Sequence, residues 1–282
     1  MAASDTTAEE GPMATATATE PVVFEEHGEI TVLKLNRPER LNAFTGDMAD
    51  SIGRFAQSLN EGDYDTKCVI VTGEGRAFSA GADVREGLAR RIPGNETEKA
   101  PWRPSHPERY AIRSIRDCDI PFISAINGHC VGMGWGLALG TDLRIAADNA
   151  QFQVSQLKRG IMADFGLGHL LTQQAGHQAA LDLMLTGRMI DAQRAYEIGL
   201  LLKVVPLDDL MDTAFELAEE IIAGPSLSIA ASKRVVYMND NDDLQRVTDY
   251  TGLALGHLMQ SEDFREGVNS FLEKRPAQYR GR

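Results

Sequence analysis

The chain has 282 residues, which suits one domain of the larger kind or one domain plus an appendage, and 43% of them are hydrophobic, enough for a sizeable core. The formal net charge of -13 argues against non-specific nucleic-acid binding, which needs a basic surface, although a local cationic patch on an acidic protein still accommodates an anionic ligand. Three widely spaced cysteines, Cys68, Cys118 and Cys130, form neither a disulfide framework nor a C-x-x-C metal pair, and they point to a reducing, cytoplasmic setting.

Residues 1–21 are acidic and rich in Ala and Thr, with no basic stretch leading into an apolar core. That composition predicts a disordered tail and not a secretory signal. No apolar run approaches the roughly 18 residues of a membrane span, so no membrane partner is expected. Residues 21–26 and 30–35 alternate as a strand pair turning at Glu26, His27 and Gly28. Residues 36–43 form a polar loop containing Pro38. From Thr45, a candidate N-cap, Met48, Ile52, Phe55 and Leu59 recur at helical spacing. Residues 68–72 are β-branched enough for a buried strand, and the small-residue stretch 73–83 reads as a turn. Residues 85–108 are dominated by Arg, Pro and Glu; Pro93, Pro101, Pro104 and Pro107 break any helix, so the segment reads as a mobile lid or surface loop.

A helix is predicted over residues 110–118 and a strand over 122–126. The strand feeds a glycine-rich turn, Asn127-Gly128 through Gly132-Met133-Gly134-Trp135-Gly136. A short apolar helix, a strand at 143–147 and a second glycine-bearing turn with Asp164 follow. Recurring strand–turn–helix units predict an α/β fold. Beyond Gly168 the pattern is helical, broken by a brief strand at 202–206, with helices expected over 207–222, 227–238 and 244–258 and a last segment from Ser261. This divides the chain into a core at 22–206 and a helical C-terminal region at 207–282.

Clustered glycines mark places where backbone approaches something closely. Free N–H groups at a helix start attract negative charge. The 126–168 stretch therefore suits binding of a negative or incipiently negative oxygen, with one acid nearby.

The layout of two small-residue turns, each after a strand, resembles the enoyl-CoA hydratase/isomerase (crotonase) family. The matching segments are Leu35-Asn36-Arg37-Pro38 with Leu41-Asn42-Ala43; Phe78 through Asp83; Asn127-Gly128 through Ala146; Leu185-Thr186-Gly187-Arg188; Ala195 through Leu200; and Glu266-Gly267-Val268 with Phe271 through Arg275. Their order and spacing are together highly specific. The resemblance implies a crotonase-like spiral of ββα units with a helical C-terminal trimerisation region, in homotrimers that often pair as hexamers. It implies an acyl-CoA thioester substrate. Coenzyme A is then part of the substrate, and no separate cofactor or metal is expected. It assigns the oxyanion hole to the N–H groups of Ala80 and Met133. Chemistry beside a thioester passes through an enolate, and losing one preorganised donor to such an oxygen typically costs about 3 kcal/mol. By the same resemblance, the loop around Arg37 to Ala43, including Arg40, and the segment Ala82, Asp83 and Val84 line the CoA site. Gly132, Trp135 and Gln156 border the acyl group, and Phe271 and Lys274 reach a neighbour's site.

One departure bears on the chemistry. Hydratases of the family use two glutamates, which would fall at Gly136 and Gln156. Glycine cannot activate water, and glutamine binds water but has no usable pKa. The remaining acid, Asp164, resembles that of dienoyl-CoA and ring-epoxide phenylacetyl-CoA isomerases. Moving a double bond needs one base, and burial among Trp135, Phe165 and Met162 would raise that carboxyl toward a working range. Alternatives stay open. Asp164 can instead cap the following helix. Water can be positioned by Gln156 with His129 or His169 in a hydratase or hydrolase. The chain can also be a non-catalytic acyl-CoA-binding protein. Asp83 and Asp142 read as hydrogen-bonding residues that hold their turns.

Overall fold

The computed structural model describes residues 20–62, 64–85, 89, 108–240 and 242–282. The tail expected over 1–21 lies outside the described residues up to position 19, and so does nearly all of the expected lid at 85–108.

Strands β1 (Val22–His27) and β2 (Ile30–Leu35) form an antiparallel hairpin, with His27 opposite Ile30. Gly28 sits between them at φ 63°, a backbone region that costs glycine little. Helix α1 (Gly46–Glu61) follows; the Thr45 hydroxyl accepts the Met48 N–H at 3.3 Å, so the expected N-cap is present.

Three successive units then repeat one plan. Strand β3 (Cys68–Gly73) enters a large sheet, β4 (Ala77–Ser79) a small one, and α2 (Glu108–Asp117) comes next. Likewise β5 (Phe122–Ile126) and β6 (His129–Val131) precede α3 (Met133–Gly140). Finally β7 (Leu143–Ala147) and β8 (Gln151–Gln153) precede α4 (Leu167–Thr186). After β9 (Met189–Asp191), α5 (Ala192–Glu197) and β10 (Lys203–Val205), the large sheet runs β1-β2-β3-β5-β7-β10 and the small one β4-β6-β8-β9. This is the expected spiral of ββα units. From β2 through β10 the large sheet is parallel.

A parallel sheet must be covered on both faces. On β2, Leu33 joins the core shared with α1, whereas the adjacent Val32 joins a second core beneath α6 (Leu210–Ile222). Leu210, Ala214 and Ala218 of α6 close that second core over Ile70, Ile123 and Ile145. Helix α6 thus serves the sheet. The remaining helices, α7 (Ser226–Met238), α8 (Leu244–Leu258) and α9 (Glu262–Glu273), bury few residues.

Helix α7 is anchored by charge. Lys233 Nζ lies 2.9 Å from Asp142 Oδ2 and donates to the carbonyls of Ile115 and Ile120. Asp142 also accepts the Phe122 N–H at 2.7 Å and the Tyr237 hydroxyl at 2.5 Å. One carboxylate at the start of β7 therefore ties β5 to α7, and Lys233 extends the tie to α2, so Asp142 is the structural hydrogen-bonding residue expected.

Candidate active site

The glycines of the 126–136 turn let three chain segments close around the start of α3. A Cβ on Gly134 would lie 2.5 Å from the Ser79 Cβ, and one on Gly81 would lie 2.9 Å from the Val131 carbonyl oxygen. The two small-residue turns are therefore in contact, which brings Ala80 and Met133 together. Gly132, at φ 54° and ψ -118°, is the N-cap of α3; a Cβ there would meet Ser155 Oγ at 2.9 Å. Met133 is the first residue of α3, so its N–H has no acceptor within the helix. The Ala80 N–H is engaged, since it donates to the Leu41 carbonyl at 2.9 Å. The sequence treats both amides as open donors. In the folded chain a thioester oxygen would have to share or displace the Leu41 bond, because the 36–43 loop lies directly against the 79–81 turn.

Asn42 pins that loop. Fully buried, it donates to the Glu74 and Ala77 carbonyls and accepts the Arg37 N–H at 2.8 Å. Leu41 and Asn42 both hold left-handed backbone, φ 52° and 55°. Asp83 is buried, pairs with Arg37 at 3.1 Å and accepts the Arg85 N–H at 3.0 Å, so it binds two loops together. Arg40 and Val84 are exposed and Ala82 is half-buried nearby.

Asp164 stands in the turn between the short helical turn at Gln156–Arg159 and α4. Its Oδ1 accepts the Gln156 side-chain amide at 2.9 Å. It does not cap α4, whose N-cap is Gly166, without a side-chain cap bond. The expected burial is corrected by the structure. Phe165 (φ 52°) and Gly166 (φ 71°) hold left-handed backbone, which turns the Phe165 ring inward onto Phe44, centroids 5.7 Å apart, and leaves Asp164 exposed. Asp164 lines a cleft of about 730 Å³ with Ile112, Met162, Phe165, His169 and Leu170. Met162 is 81% exposed, and Trp135 packs on Phe152 in the core at 1% exposure, so Trp135 does not surround the carboxylate. Arg113, Arg116, Asp117, Tyr237 and Asp240 complete the cleft. These residues are not evident from the sequence, because α2 and α7 are far apart along the chain and meet only on folding, where Arg116 pairs with Asp240 and lies 3.9 Å from the centre of the Tyr237 ring.

The remaining expected positions lie apart. His129 is exposed on β6, and His169 lines the cleft from α4. Phe271, 82% exposed on α9, and Lys274 at its C-cap are remote in sequence from the glycine turns and project from the C-terminal helices. Among the described residues no cluster of three or more His, Cys, Asp or Glu could hold a metal ion, and no helix is long and apolar enough to cross a membrane.

Position 136 is closed to a side chain. A Cβ there would lie 2.7 Å from the Phe165 carbonyl oxygen and 3.0 Å from its ring. The backbone next to Asp164 occupies the space a glutamate would need.

A family model described as Enoyl-CoA hydratase/isomerase matches residues 25–282. The chain is 35% identical over 266 residues to the 1,2-epoxyphenylacetyl-CoA isomerase of Escherichia coli K12, covering 91% of this chain and 97% of that protein. It is 32% identical over 253 residues to a probable enoyl-CoA hydratase of Rhodobacter capsulatus, covering 90% and 95%. The fold superimposes on the crystal structure of a putative enoyl-CoA hydratase from Streptomyces coelicolor with a TM-score of 0.87, at 26% identity and 96% and 98% coverage.

Proposed function

The chain belongs to the enoyl-CoA hydratase/isomerase family, and within it we propose that it shifts a double bond in an enoyl-CoA by one-base proton transfer through Asp164. The observation that carries this reading is the pair of neighbouring sites. Gly136 is packed against Phe165, which denies a first glutamate, and Gln156 holds Asp164 at the cleft, whose other carboxylates among the described residues, Asp117 and Asp240, pair with Arg113 and Arg116.

Asp164 takes a proton from a carbon near the thioester. The electrons move onto the thioester oxygen, to which the Met133 N–H donates a hydrogen bond, joined by the Ala80 N–H once the Leu41 carbonyl gives way. The same carboxyl returns the proton to another carbon. No water is consumed. Arg40, Ala82 and Val84 then face the CoA portion. Exposed apolar residues of the C-terminal helices, including Leu244, Leu253, Phe271 and Leu272, support a homotrimer in which Phe271 and Lys274 reach a neighbour. The similarity to an isomerase at 35% identity supports the reading; the hydratase names among other relatives support the rival.

The test is a paired assay on 2-enoyl-CoA and 3-enoyl-CoA thioesters with wild type and Asp164→Asn. Bond position and water addition are read by mass spectrometry. The proposal expects bond migration that falls by about 100-fold or more in the variant, the scale of general-base catalysis, with CoA-ester affinity kept. Hydrated product that persists in Asp164→Asn would sink it.

A further inference from the structure

Gln156 is 5% exposed, yet its amide is only half used. Nε2 donates to Asp164 Oδ1 at 2.9 Å, while Oε1 is buried and has no hydrogen-bond partner among the described residues. The opposite orientation of the amide would set its oxygen against a carboxylate oxygen, so the orphan belongs on Oε1. A buried acceptor without a partner typically costs about 1–3 kcal/mol, and a nonpolar side chain of the same shape would avoid that cost. For the fold, then, glutamine is a poor choice here.

Its placement gives the reason. Oε1 lies 3.5 Å from where a Cβ on Gly132 would stand. A Cβ and the following backbone nitrogen, three bonds away, are at most about 3.7 Å apart, so Oε1 lies within roughly 7 Å of the Met133 amide nitrogen. Gln156 therefore bridges the turn that carries Met133 and the turn that carries Asp164. From these relations we infer that Gln156 is a positioning residue: it clamps one oxygen of Asp164 so that the other is presented to the cleft, at the expense of fold stability.

The inference rests on Asp164 being the base. A donor bonded to one carboxylate oxygen fixes where the other oxygen points. Other groups that face Asp164 across the cleft are Arg113 and Arg116 of α2, Asp117 at its end, His169 of α4, and Tyr237 and Asp240 of the α7 end. Gln156 differs from all of them in bonding the carboxylate directly. Removing its amide lets the carboxylate turn away from the reacting carbon, so kcat falls while KM is kept. Gln156→Glu places a second carboxylate against the first and repels it from that position.

The experiment compares wild type, Gln156→Met, Gln156→Glu and Asp164→Asn in thermal unfolding and in the kcat and KM of enoyl-CoA isomerisation. Gln156→Met is expected to unfold at the same temperature as wild type or higher, with kcat about tenfold lower and KM unchanged. Gln156→Glu is expected to show the larger loss of kcat. A Gln156→Met protein that loses stability yet keeps the wild-type kcat overturns the inference and makes the residue structural. If Asp164→Asn turns over at the wild-type rate, the base assignment itself fails, whatever Gln156 does; the two failures are thus separable.

Discussion

The N–H of Ala80 donates to the carbonyl oxygen of Leu41 at 2.9 Å, and Leu41 holds that carbonyl in place from a left-handed backbone at φ 52°. Met133, on the adjoining turn, has an N–H with no acceptor within its helix. The two amides assigned to one oxyanion hole thus start from different states. Native-state hydrogen exchange should show it: the Ala80 amide is protected in the free protein, and Met133 exchanges faster. A saturated acyl-CoA should slow Met133. Unchanged exchange at Met133 with the ester bound would remove it from the oxyanion hole.

Gly136 is a packing position. A Cβ 2.7 Å from the Phe165 carbonyl oxygen must displace the turn that presents Asp164. Overpacking of this kind typically costs about 1–3 kcal/mol. Gly136→Ala should lower stability by that amount in urea unfolding and reduce isomerisation at the same time. Gly136→Glu, paired with Gln156→Glu to recreate two acids, should still not hydrate an enoyl-CoA. Efficient hydration by that double variant would show that the absent glutamates, and not the packing, set the chemistry.

Lys233 should be a stability residue. Its side chain is 8% exposed, and it meets Asp142 and two backbone carbonyls. Breaking a buried pair by removing one partner typically costs about 3–5 kcal/mol, because the other charge remains. Lys233→Met should approach the lower end of that range, since Asp142 keeps the Phe122 N–H and the Tyr237 hydroxyl. Adding Asp142→Asn should recover part of the loss. A loss within 0.5 kcal/mol of zero, the scale of an exposed pair, would show that the anchor is solvated.

The thiols should be silent in the folded protein. Burial pushes Cys68 up to about 12 and Cys118 up to about 11, and it raises Cys130 well above the usual thiol range. The thiolate is the reactive form, so raising the pKa removes it at neutral pH. A chromogenic disulfide reagent at pH 8 should find no fast-reacting thiol in the native state and three after denaturation. One rapid native thiol would show that a core segment opens.

Much of this molecule is legible along the chain because its signals are local. The hairpin at Gly28, the Thr45 cap, the buried strand from Cys68 and the helix from Leu244 all depend on residues near each other in sequence, and hydrophobic period or capping chemistry reveals them. Strands β4, β6, β8 and β9 are three residues each, too short for any period to register, and they exist because their neighbours pair with them. The words Phe78 through Asp83 and Asn127 through Gly136 point to the family, and the turn before α4 supplies the acid, Asp164.

Tertiary structure decided the rest. That Asp164 faces a cleft instead of an apolar interior follows from Phe165 taking the inward place beside Phe44. That Ala80 is engaged follows from a loop some forty residues earlier laying the Leu41 carbonyl on it. The half-satisfied Gln156, the closed space at Gly136 and the cleft wall from α2 and α7 all depend on segments that meet only after folding. Composition and spacing tell which groups are available. Distances between remote segments decide which of them are free to act, because hydrogen bonds and close contacts are settled over a few ångströms.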